Sequence, residues 1–169
     1  MSTPILKSEM NQVNQSLEDG YLKFYLQPQT PAVLAMEQVQ EVLVVTPRRI
    51  TPIPNMPEYV LGLLNRRNRV LWVIDLAKMF NFHHFYQNHQ QYNLVIIKAG
   101  QFPLGLLVQE IKGVRRYKSS LIQAATGVVT PLLIPYLNGC IFQQEEVALV
   151  LNAEAIVHSR LLSSNWLGQ

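Results

Sequence analysis

The apolar positions fall into short runs broken by Pro, Gly and Asn, a pattern of many short strands rather than of long helices. Residues 21–26 are aromatic-rich and stop at Pro28, and residues 32–36 follow a loop holding Pro28 and Pro31, so the two runs predict a hairpin. Met36, Val39 and Val42 are spaced by three before a β-branched run reaches Val45. One helical turn leading into a strand accounts for both features. Pro52, Pro54 and Pro57 exclude a central strand or a helix interior from 51–57. Residues 60–64 and 70–74 flank Asn65-Arg66-Arg67-Asn68-Arg69 and predict a second hairpin. Asp75 then caps a short helix whose apolar face is Leu76, Met79 and Phe80.

Residues 81–91 are polar and His-rich and read as a linker, after which the cycle starts again. Strands are expected at 92–98, 101–108 and 111–117, no clear period runs through 118–134, and a last hairpin spans 136–142 and 147–151. Asn152 caps a final helix through Ala155, Ile156 and Leu161.

This recurrence is an internal repeat. With Tyr59 set over Tyr136 no gap is needed: Gly62 meets Gly139, Val70 meets Val147, Val73 meets Val150, and the caps Asp75 and Asn152 coincide. Upstream, Met36-Glu37-Gln38-Val39 lies over Val108-Gln109-Glu110-Ile111, with Val42 over Val114. The chain therefore reads as two small β units, each of about five short strands and a trailing helix, closed or nearly closed into a barrel. One unit of roughly 70 residues would bury only about 60% of its unfolded surface, so two packed side by side are favoured. The cleft between them is the expected seat of a ligand or partner. Residues 1–20 lack a strong period and are expected to form a mobile arm.

Composition narrows the function. Among 169 residues, 49% are apolar and 15% charged, as in a packed globular protein. Fourteen Lys and Arg against eleven Asp and Glu leave +3, in pairs and triplets rather than the dense footprint of a nucleic-acid binder. Cys140 is the single cysteine, which excludes an intramolecular disulfide and suits a reducing compartment. No apolar stretch approaches the roughly 20 residues that cross a bilayer, and no leader pattern opens the chain, so a cytoplasmic protein without membrane insertion is expected.

Catalytic chemistry is not apparent. The eight glycines are scattered rather than gathered in a phosphate loop, and Cys140 sits in an apolar strand, where a buried inert thiol is expected. Of the carboxylates flanking the hairpin, Glu58 and Asp75, the latter is spent as a helix cap. His83, His84 and His89 are the one candidate metal cluster, but no Cys, Asp or Glu lies between residues 79 and 109 to complete it. We therefore expect no enzyme, no metal and no cofactor. Arg66, Arg67 and Arg69, near Glu37, Glu41 and Glu58 in sequence, are either a solvated turn or a recognition surface.

The stretch from Tyr59 to Leu76, with Gly62-Leu63-Leu64-Asn65-Arg66-Arg67 running into Val73-Ile74-Asp75-Leu76, resembles the signature of the CheW-like family. Val39-Gln40-Glu41-Val42 with Thr51-Pro52-Ile53-Pro54-Asn55, and Gly105-Leu106-Leu107-Val108-Gln109-Glu110-Ile111, are similar to its flanking motifs. The resemblance implies a mainly β fold of two SH3-like five-stranded β-barrel subdomains packed side by side, with short helices. It implies a non-enzymatic adaptor coupling the cytoplasmic tip of chemoreceptors to the regulatory domain of a CheA-type histidine kinase, in chemotaxis, phototaxis or pilus-based motility. It also implies recruitment to membrane receptor arrays.

The organisation expected is an arm at 1–20, a domain at 21–162 and a tail at 163–169. Within the domain, subdomains of about 32–91 and 92–151 exchange terminal segments. Carried over by the resemblance, Glu41 and Arg67 form an acidic–basic pair, Gly62 and Asn65 precede the hairpin, and Val39, Val42 and Val108 offer apolar contacts at the groove. Asn68, Trp72 and Gln109 stand where the family usually has Gly, Pro and Asp, and residues 143–146 form an atypical second hairpin. The competing reading is a nucleic-acid-binding barrel, with Arg66, Arg67 and Arg69 beside Tyr59 or Trp72 as a stacking platform.

Overall fold

The computed structural model describes residues 18–82, 90–159 and 162. The histidine-rich residues 83–89, most of the expected arm and tail, and Leu161 lie outside them. The first elements among the described residues are β1 (Glu18–Gln27), which starts ahead of the aromatic run, and β2 (Thr30–Ala35). A single 3-10 turn at Met36–Gln38 leads into β3 (Val39–Val45), as the change of period predicts. A two-residue strand, β4 (Ile50–Thr51), precedes the proline-rich stretch, and the hairpin β5 (Val60–Arg66) and β6 (Arg69–Asp75) follows. Helix α1 (Leu76–Met79) closes the first half. The second half repeats this order with β7 (Tyr92–Ala99), β8 (Phe102–Val108), β9 (Glu110–Lys118), β10 (Leu137–Gln143), β11 (Glu146–Leu151) and α2 (Ala153–Val157).

The repeat is reproduced atom for atom at its key joints. The Asp75 amide donates to the Tyr59 carbonyl at 2.7 Å, and the Asn152 amide to the Tyr136 carbonyl at 2.8 Å. Asp75 accepts from the Lys78 amide at 3.1 Å and Asn152 from the Ala155 amide at 3.0 Å, so each side chain satisfies an otherwise orphaned helix donor. A bulge falls between Val60 and Gly62 and again between Leu137 and Gly139.

Two sheets result, with orders β3-β7-β8-β6-β5-β4 and β10-β11-β2-β1-β9. Their ladders are antiparallel except for β6 with β8 and β11 with β2. The hairpin β7–β8 belongs to the second half but completes the first sheet, while β1–β2 completes the second. The first sheet therefore draws on strands from Val39 to Val108, and the second joins residues 18–35 to 110–151. The cause lies in the hairpins themselves. Both faces of their strands are apolar, so they need a central place with cover on each side.

That double cover gives three apolar clusters. Leu22, Phe24 and Leu34 of the second sheet meet Ile74, Val95 and Ile97 of the first in a large core between the sheets. Alternate residues turn the other way: Val73, Leu94 and Ile96 fill the first unit, and Tyr21, Val33 and Val150 the second. Hydrogen bonding leaves each ladder open, ending at β3 and β4 in one and β9 and β10 in the other.

Candidate functional site

Among the described residues β3 is an end strand and pairs only with β7. A bulge between Val39 and Glu41 puts Val39 opposite Ile97 and Val42 opposite Val95, so both valines take the face of the central core. Val39 is half-buried against that core, whereas Val42 is 41% and Val44 59% exposed along the same edge. Unpaired edge strands carrying exposed β-branched residues are templates for another chain. Glu41 takes the opposite face, above the core of the first unit.

There Glu41 meets the β5–β6 hairpin. Arg66 and Arg69 are the last ladder pair, leaving Arg67 and Asn68 as a two-residue turn with φ of 53° and 62°. Positive φ at both positions is the type I′ geometry that matches strand twist, and Asn68 adopts it where glycine is usual. Arg66 shares the face of Leu64 and donates to both Glu41 oxygens, the Nε bond being 3.5 Å long. The Arg67 guanidinium stands 3.7 Å from Glu41 and is 75% exposed. The Arg66 hydrogen bond first, and the charges of both arginines with it, hold the Glu41 carboxyl below the usual carboxylate range. The same hydrogen bond raises Arg66 further. An open cleft of about 500 Å³ lies beside this cluster, reaching Arg69 and floored by Leu71, Ile96 and Pro103.

The structure sorts the expected site residues. Val39, Glu41 and Val42 sit together on β3, and Arg67 and the exposed Asn65 on the facing hairpin. Arg66, rather than Arg67, makes the close contact with Glu41, because strand alternation turns Arg66 inward while the turn throws Arg67 out. Val108, expected at the groove, is 1% exposed and packs in the central core. Gly62 is buried at φ +137°, where a Cβ would run into the Thr51 carbonyl, so its service is to the fold. Val44 escaped sequence reasoning, although alternation from Val42 along an edge strand would have found it. Tyr59 and Trp72 pack against the central core, and Arg66 is held by Glu41, so neither ring forms a stacking platform with the arginines. Cys140 is fully buried, and burial pushes its thiol upward. Among the described residues no helix is long and apolar enough to cross a membrane.

Twin β units joined through exchanged hairpins, with an open strand edge beside a charged hairpin, are the build of a protein-interaction domain. The chain belongs to the CheW-like domain family, whose pattern matches residues 20–161. It is 26% identical over 116 residues to the chemotaxis protein CheW of Treponema pallidum (strain Nichols), covering 67% of this chain and 68% of that protein. It is 27% identical over 74 residues to the chemotaxis protein CheW of Thermotoga maritima, covering 44% and 48%. The fold matches the crystal structure of scaffolding protein TtCheW from Thermoanaerobacter tengcongensis with a TM-score of 0.72 at 20% identity, over 83% of this chain and 93% of that one.

Proposed function

We propose that this protein is a cytoplasmic, non-enzymatic adaptor that couples a chemoreceptor tip to the regulatory domain of a CheA-type histidine kinase. The observation that carries the reading is the exposed valine edge of β3, set at the seam of the two sheets and flanked by the Glu41–Arg66–Arg67 cluster. An apolar helical partner lying along that seam would bury Val42 and Val44 and complete the cover of Val39. Apolar contact supplies most of the affinity there, while Arg67 and Asn65 set register and partner choice. Glu41 and Arg66 act one step back, fixing the hairpin that presents Arg67.

The test is co-sedimentation with a receptor signalling fragment and with a kinase regulatory domain, comparing the wild-type chain with Val42→Asp and Arg67→Glu. Loss of receptor binding with Val42→Asp and weakened assembly with Arg67→Glu are expected, both with an unchanged unfolding midpoint. Undiminished binding of both partners by both variants would remove these residues from the interface.

A further inference from the structure

The two halves of the chain are unequal at one rung of the central core. In the first sheet, Trp72 of β6 stands between Leu63 of β5 and Leu104 of β8. The matching rung of the second sheet has Leu149 of β11 between Cys140 of β10 and Ala32 of β2. All three positions carry a smaller side chain in the second sheet.

Beside that smaller rung lies an open cavity of about 470 Å³. Leu149 and Leu133 line it with the rings of Phe80 and Phe82, which meet edge to face at 6.4 Å. Gln29, Asn81 and Thr130 add neutral polar groups, and among the described residues no charged side chain contributes to the lining. Leu132, 76% exposed, stands at the same cavity as an uncovered apolar group. The size lies within the range of small-molecule sites, and a mostly apolar lining with a few amides and hydroxyls is their usual make-up.

We infer that this cavity binds a neutral, planar aromatic group of indole size. The first half carries such a group covalently at the matching rung, since the indole of Trp72 packs against the same central core. The Phe80 and Phe82 rings offer the offset or edge contacts that aromatic guests prefer. The side-chain carbonyls of Gln29 and Asn81 can accept from an indole N–H. A charged guest would lose its hydration with no opposite charge among the described lining residues to meet it. Free tryptophan, a zwitterion, is therefore refused where uncharged indoles enter. The guest is either a free small molecule or the side chain of a partner's tryptophan, and the two share this chemistry. The inference is independent of the adaptor reading.

The experiment is an NMR titration of the full chain with indole, N-acetyl-tryptophanamide and tryptophan. Saturable shifts confined to Phe80, Leu133, Leu149 and their neighbours are expected for the two neutral probes, with tryptophan at least about tenfold weaker. Leu149→Trp places the group internally, as position 72 already does, and should weaken the neutral probes by about tenfold or more. Val147→Trp, at a second lining residue two places along β11, reports the same effect should that replacement fail to fold. A preference for indole marks a free metabolite as the guest, and a preference for N-acetyl-tryptophanamide marks a peptide-borne side chain. Absence of saturable shifts with either neutral probe, or equal binding by a folded filled variant, overturns the inference.

Discussion

Gly62 lies so close to the carbonyl of Thr51 that any side chain at this position would collide with the backbone of β4. Its φ of +137° is also one that L-residues rarely adopt. The same pair recurs as Gly139 against the Gln123 carbonyl, with Gly139 at φ +143°. Gly62→Ala and Gly139→Ala should each destabilise the fold by about 3 kcal/mol, combining backbone strain with displacement of the neighbouring strand. Urea unfolding followed by circular dichroism measures this, and a change under about 1 kcal/mol would show that the bulges relax freely.

The Glu41 carboxyl titrates below the ordinary glutamate range because Arg66, and then Arg67, favour its charged form. A depressed folded-state value contributes stability that is present above the unfolded glutamate pKa and is lost as pH falls through the folded value. NMR titration of the Glu41 carboxyl carbon should therefore show a low midpoint that moves up strongly in Arg66→Ala and only slightly in Arg67→Ala. Equal movement in the two variants would contradict the geometry of the pair.

A second cross-link ties β1 to the turn of the last hairpin. Tyr25 donates to Glu146 at 2.5 Å, and Lys23 lies 3.0 Å from the other carboxylate oxygen. The Glu146 hydrogen bond is the leading cause that raises Tyr25, whose folded value then lies above the unfolded one. Its contribution is complete below the unfolded tyrosine pKa and disappears as pH rises through the folded value. Tyr25→Phe should thus flatten the alkaline limb of the stability curve while leaving neutral binding untouched. Thermal midpoints measured across pH 8 to 12, an interval of about two units either side of the ordinary tyrosine value, test the sign.

Val42 and Val108 should behave as opposites. Val42→Asp changes an exposed edge position, so its unfolding free energy should stay within about 0.5 kcal/mol while receptor binding is lost. Val108→Ala opens space in the central core and should cost roughly 2 kcal/mol with binding retained. Paired denaturation and co-sedimentation separate the two.

Local structure was legible where single residues carry it. Asp75 and Asn152 announce their helices, and the three-residue spacing of Met36, Val39 and Val42 the turn before β3. Long-range pairing was not. Nothing in the run around Val73 or Val150 states that the next strand is parallel β8 or β2, because such a run satisfies any partner that covers both faces. For that reason the sequence does not say which hairpin joins which sheet, nor that Val108 packs in the central core. The choice of Arg66 over Arg67 depends on which residue closes the ladder, and a five-residue polar connection leaves that register open.

The crossed hairpins have a bearing on biosynthesis. β1 leaves the ribosome long before β9, yet the rung that joins Lys23 to Gly113 exists only after β9 has been made. Until then its aromatic residues wait without their sheet, and the early half of the nascent chain has no complete body of its own to fold into. Such distant closure favours slow maturation and a single melting event in which neither unit outlives the other.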